Sequence, residues 1–181
     1  MSIEDVRRFE FAIEGTTPYM QGKFSGQQKS KDLKEQDART QVEAATYRDS
    51  EGMCAIPSSH IRGALIDHFV RSAAKGNKTN TELEVSPRIR VEPLFLSLGT
   101  KKADIYERSI QVRQGAKVSM DFVASPIFQK WTAKGIIVTS LEEDMKAALA
   151  AAGRDIGIGV NRKNGYGRFQ VTSIRQVTNE V

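Results

Sequence analysis

The chain has 181 residues, enough for one domain with a sizeable core. Hydrophobic residues make up 39% and charged residues 27%, with a net charge of +5 and an isoelectric point near 9.4, which fits a soluble globular protein leaning weakly toward an anionic partner. No run approaches the roughly 20 apolar residues of a membrane span, the polar start MSIEDVRRFEF lacks the apolar core of a secretory signal, and Cys54, the only cysteine, excludes an internal disulfide. A cytoplasmic location is therefore expected. Cys54, His60 and His68 are too few soft ligands for a structural zinc site, and neither a metal nor a cofactor is expected.

In chain order, RFEFAIE (8–14) alternates Phe9, Phe11 and Ile13 with Glu10, Ala12 and Glu14, the period of a strand with one buried face. GTTPYMQG breaks it at Pro18. Residues 21–51 are polar with almost no apolar period, too long for an ordinary connector, and read as a functional loop or mobile segment. Met53–Ile56 is a short apolar run closed by Pro57. Ser58 or Ser59 caps a helix in which Ile61, Leu65 and Phe69 form an apolar stripe and Gly76 is the stop. VSPRIRVEPLFLSL, punctuated by Pro87 and Pro93, reads as an irregular or edge strand.

YERSIQV sets Tyr106, Arg108, Ile110 and Val112 on one side. A turn at Gln114 and Gly115 leads to KVSMDFVAS, with Val118, Met120, Phe122 and Ala124 on one face, so the pair predicts a hairpin. A strand at GIIVTS precedes a helix with a capping box, Ser140 with Glu143, ended by Gly153. The chain closes with GIGVNRKNGYG and the strand RFQVTSIRQV. This order fits an α+β, ferredoxin-like (RRM-like) βαββαβ antiparallel sheet with both helices on one face, in a single domain over 1–181 carrying the long loop at about 21–51.

Basic residues collect from Arg108 to Lys117 and from Arg154 to Arg168. In the second tract Gly157, Gly159, Gly165 and Gly167 free the backbone for close approach. Arg162, Lys163 and Arg168 add charge, and Tyr166 offers a face on which a base can stack. Bare amides with positive charge and one ring suit a sugar-phosphate backbone; the plainer reading is a flexible hairpin with solvated charges. The glycines precede a strand, which excludes a dinucleotide fingerprint, and no GK[ST] phosphate loop occurs. At the first helix, Ser58, Ser59 and Arg62 can hold a phosphate against the unpaired amides, or simply start a helix. Glu43 and His60 are the weak catalytic candidates for cutting RNA. Asp32, Glu35, Asp37, Glu43 and Asp49 could gather magnesium, but Lys29, Lys31, Lys34 and Arg39 among them read as a solvated mixed-charge loop.

Three segments taken together, TTPYMQG (16–22), YRDSEGMCAIPSSHIRGAL (47–65) and GIGVNRKNGYGRF (157–169), resemble the RAMP superfamily, the repeat-associated proteins of CRISPR systems. Within it the chain is most similar to the repeated backbone subunits of CRISPR effector complexes. The resemblance implies that Ser58, Ser59, His60 and Arg62 lie against RNA phosphates, with Arg162, Lys163, Tyr166 and Arg168 at the glycine-rich loop contact. It also implies a single-stranded RNA partner, copies of the same chain joined head to tail in a filament, and other effector-complex subunits. In relatives that cleave target RNA an aspartate precedes the "RD"; here Glu43 stands nearest, and IPS replaces the family's IPG. The alternatives are a RAMP-type endoribonuclease and a stand-alone or phage-borne protein that coats single-stranded DNA or docks on other subunits.

Overall fold

Alternation of Phe9, Phe11 and Ile13 with more exposed residues forms the strand it predicts, β1 (Arg7–Gly15). The computed structural model describes residues 6–22, 37–75 and 81–177. After Pro18 comes the buried two-residue β2 (Tyr19–Met20). Of the expected polar loop, residues 23–36 lie outside the described residues, as do Asp32 and Glu35, while 37–51 is packed. Its helix α1 (Ala38–Ala45) starts at Asp37, whose carboxylate accepts the Thr40 amide at 2.8 Å, and buries Gln41, Val42 and Ala45. One valine and one alanine mark that face, too sparse a period to read from sequence.

β3 (Ala55–Pro57) runs straight into α2 (Ser58–Lys75), where Ile61, Leu65 and Phe69 are the buried stripe. The stop expected at Gly76 lies outside the described residues. A short helix α3 (Glu82–Val85) and a 3-10 turn (Ser86–Arg88) precede β4 (Ile89–Glu92) and β5 (Phe95–Ser97). The proline-punctuated stretch is thus two short strands in different sheets. The predicted hairpin is β6 (Asp104–Gln114) and β7 (Lys117–Phe128), turning through Gly115 at φ 62°. β8 (Thr132–Thr139), α4 (Met145–Asp155) and β9 (Phe169–Val177) complete the chain.

Two expectations for α4 are corrected. Asp144 is its cap, accepting the amides of Lys146 at 2.9 Å and Ala147 at 3.1 Å, so the Ser140–Glu143 box goes unused. A carboxylate also meets the positive end of the helix, which serine cannot do. Nor does Gly153 end the helix. A Cβ there would lie 2.4 Å from the Phe169 carbonyl oxygen, so the glycine lets α4 approach β9.

The main sheet is antiparallel in the order β4-β8-β1-β9. Strand, helix, two strands, helix, strand in that order is the ferredoxin-like α+β fold. Phe9, Phe11 and Ile13 pack with Ile137, Leu65 and Leu149 between sheet and helices, each burial contributing about 1.5–3 kcal/mol. The opposite sheet face is charged but internally paired: Arg8 with Glu92 at 3.1 Å, Arg90 with Glu92 at 2.8 Å, and Arg175 with Glu10 at 2.6 Å. The hairpin joins β2 in a second sheet, β2-β7-β6. Eleven residues at about 3.3 Å each make β6 some 35 Å long.

Candidate nucleic-acid interface

The glycine-rich turn between α4 and β9 is a backbone joint. Gly157, Gly159, Gly165 and Gly167 all have positive φ, as does Asn161 at 60°. Gly157 closes α4, its amide donating to the Ala152 carbonyl at 2.9 Å. Ile158 donates to Gly167, Val160 to Met20 and Gly167 to Pro18, at 2.8 to 3.1 Å, and the Arg168 amide reaches Thr17 Oγ1 at 2.9 Å. A Cβ on Gly167 would fall 1.9 Å from the Ile158 carbonyl oxygen. The expectation of bare amides is therefore corrected, because these glycines let the turn interlock with the TTPYM segment and spend its amides internally. What the turn presents outward is side chains, with Lys163 exposed and Arg162, Tyr166 and Arg168 half-buried.

The start of α2 lies against this turn. Arg162 Nη1 pairs with Asp67 Oδ2 of α2 at 3.3 Å. His60, in the first turn of the helix, has its Nδ1 2.8 Å from the Tyr19 hydroxyl and its ring edge-on to Tyr19 and Tyr47. Burial keeps the Tyr19 hydroxyl protonated, and it shares one hydrogen bond with His60 Nδ1. Burial, with Arg162 adding, pushes His60 down to about 4, and the ring is neutral at pH 7. Gln21 braces this group, donating to the Ala55 carbonyl at 2.7 Å and accepting the Tyr47 amide at 2.9 Å. Ser59 is exposed. Ser58 is buried, its amide given to the Leu94 carbonyl at 2.9 Å. Arg62 points elsewhere: its Nε and Nη2 hold the Ile89 and Ser86 carbonyls at 2.8 and 2.6 Å, tying α2 to β4. That geometry fits a structural clamp.

The third component was not among the residues singled out from sequence. Tyr106 and Arg108, on one face of β6, meet the turn. Tyr106 and Tyr166 have ring centroids 6.2 Å apart, and the neighbouring Tyr106 phenol raises Tyr166 above the usual tyrosine value. Arg108 Nη1 lies 3.5 Å from Asn161 Oδ1. The signal available was that Arg108 opens the first basic tract and shares its strand face with an aromatic ring. Among the described residues, Arg108, Lys163 and Arg168 make no ion pair. The opposite hairpin face carries Val118, Met120 and Phe122, all exposed.

Among the described residues, the acidic candidates Asp37, Glu43 and Asp49 serve local structure. Glu43 pairs with Arg48 and, at 4.0 Å, with Arg39. Arg48 also donates to the Gly52 and Lys101 carbonyls at 2.9 Å, and Asp49 Oδ1 accepts the amides of Glu51 and Met53 at 2.9 Å. The YRDSEG phrase thus folds as a self-bonded turn. Glu43 faces arginines while His60 faces tyrosines, and no contact among the described residues joins them. No group of three His, Cys, Asp or Glu placed to hold a metal ion occurs among the described residues, and none of their helices is long and apolar enough to cross a membrane.

No family model matches the sequence, and no curated protein matches it. Among solved structures the fold is similar to a chain in a cryo-EM structure of the type III-B Cmr-beta bound to cognate target RNA, with 13% identity and a TM-score of 0.55. That match takes in 96% of this chain and 61% of the other, so the present chain spans less than two thirds of its neighbour's length.

Proposed function

We propose that the chain is a RAMP-type binder of single-stranded RNA that serves as a repeated backbone unit of a CRISPR-like ribonucleoprotein. The observation that carries this reading is the meeting, at one place, of two cationic elements, the glycine-rich turn and the base of the long hairpin, beside the uncharged start of α2. Lys163 and the guanidinium groups there have the charge to bind phosphates, and Tyr166 has the flat face to stack on a base. The fold shared with a chain of an RNA-bound CRISPR effector complex supports it.

Head-to-tail assembly belongs to the same reading. The basic, apolar hairpin complements an open groove of about 590 Å³ lined by Asp49, Glu51, Phe95 and Leu98, and a contact between two different surfaces propagates a filament rather than a closed dimer. Ser58, Ser59 and His60 border the bound strand as neutral groups.

The test is fluorescence anisotropy with a labelled 30-nucleotide single-stranded RNA across a salt series, with electron microscopy of protein with and without a long strand. Wild-type protein is expected to bind with a steep salt dependence, and Arg162→Ala with Lys163→Ala to reduce the log–log slope by about two. Filaments are expected only with RNA. Salt-independent or absent binding by wild type overturns the reading.

A further inference from the structure

The backbone of the glycine-rich turn is tightly bonded, but the polar side chains gathered on it are not. Arg108 reaches Asn161 Oδ1 at 3.5 Å, Arg168 Nη2 reaches the Arg162 carbonyl at 3.4 Å, and Asn161 Nδ2 meets the Met20 sulfur at 3.6 Å. The two guanidinium contacts lie at the outer limit of a hydrogen bond. Two further nitrogens, Arg108 Nε and Arg168 Nη1, are shielded from solvent and have no partner among the described residues. Shielded donors without acceptors are rare, and each destabilises the fold until an acceptor is supplied. The two guanidinium groups arrive from different elements, one from β6 and one from the residue before β9, and touch the consecutive residues Asn161 and Arg162. The nearest acid bonded in this cluster, Asp67, is already held by Arg162.

We infer that Arg108 and Arg168 form a seat for one phosphate group, shared between the hairpin and the turn. The inference rests on the RNA-binding reading above and sharpens it by bringing the hairpin base into the interface. A phosphodiester offers two charged non-bridging oxygens, and guanidinium groups grip such oxygens in forked, short bonds. A small shift of the two side chains toward that ligand exchanges the long contacts for short ones and supplies the missing acceptors. Because Arg108 stands on β6, an occupied seat also fixes the stance of the hairpin, with the Tyr106–Tyr166 ring contact beside it as the second tie.

Two measurements separate this inference from the broader reading. The first is thermal unfolding in sodium phosphate against sodium chloride at matched ionic strength and pH. Phosphate stabilises folded proteins generally, so the seat is expected to make it raise the wild-type midpoint more than those of Arg108→Met and Arg168→Met. Equal stabilisation of all three proteins, or of none, overturns the seat. The second is single-stranded RNA affinity. Each variant is expected to bind about tenfold more weakly with a salt slope lower by about one, and the double variant scarcely more weakly than either, since a single phosphate contact is lost once. Additive losses with a slope lower by about two, or unchanged affinity, overturn it. If methionine prevents folding, Arg108→Lys and Arg168→Lys keep the charge but lose the fork, and are expected to keep the slope while weakening affinity. Stabilisation of the wild type by phosphate beyond that of the variants, without RNA binding, sinks the RNA reading and leaves the oxyanion seat standing.

Discussion

From Ile158 to Arg168 the glycine-rich turn is bonded through its backbone to the TTPYM segment and across itself. From Ser109 to Phe122, by contrast, the hairpin ladder runs only between its own two strands. Both regions are basic and both leave the core, yet the first is held by main-chain geometry and the second presents side chains to whatever lies beyond it. Substitution in the turn should therefore act through backbone strain and stability. Substitution at the hairpin should leave the fold alone and act on binding.

The sharpest way to break that contrast is a pair of glycines in one turn. Gly167→Ala puts a Cβ 1.9 Å from the Ile158 oxygen at φ 72°, and is expected to cost about 3 to 4 kcal/mol in denaturant unfolding. Gly165→Ala has a φ of 85° but open space around its Cβ, and should cost only about 1 kcal/mol. Equal costs would mean that close approach is not what fixes the turn.

A pH series probes the same rigid side. His60 has its folded value lowered from 6.5 to about 4, so between those limits the unfolded chain binds the extra proton. Stability is whole above pH 6.5 and falls as pH drops toward 4, by about 3 kcal/mol at the lower end. His60→Asn should flatten that part of the curve; an unchanged curve would place the acid sensitivity elsewhere. The smallest stability effect is expected on the hairpin. Val118→Thr with Met120→Thr, both at exposed positions, should change unfolding free energy by no more than about 0.5 kcal/mol, while RNA affinity and filament formation decline. A loss above about 2 kcal/mol would show that this face is packed against the body.

Periodicity revealed β1 and α2, which bury rows of large side chains, and the β6–β7 hairpin, whose alternating Val118, Met120 and Phe122 stand exposed, whereas α4 was legible through a capping signal at its start. Helix α1 left almost no trace, since Val42 and Ala45 sit among polar residues and its buried Gln41 is satisfied by the Ala124 amide at 2.9 Å. The site was half legible. Sequence order placed the turn and α2 at suitable points in the chain, but which face Arg62 takes is a rotamer fixed by the Ser86 and Ile89 carbonyls, and no local pattern records that. The glycines give clearance for a neighbouring backbone rather than open amides, a difference that the residue type alone does not carry. Arg108 belongs to the cluster through the packing of β6 on the turn, a long-range contact that a single sequence does not encode locally.

The register of β1 has a consequence for how the molecule is made. Its partners, β8 and β9, come from residues 132–139 and 169–177, so the middle of the main sheet cannot close until segments far down the chain have been synthesised. Until then the row Phe9, Phe11, Ile13 stays uncovered, and topologies dominated by such distant pairings fold slowly. The nascent chain therefore has a window in which a chaperone, or misassociation with a second unfinished copy, competes with completion of the sheet.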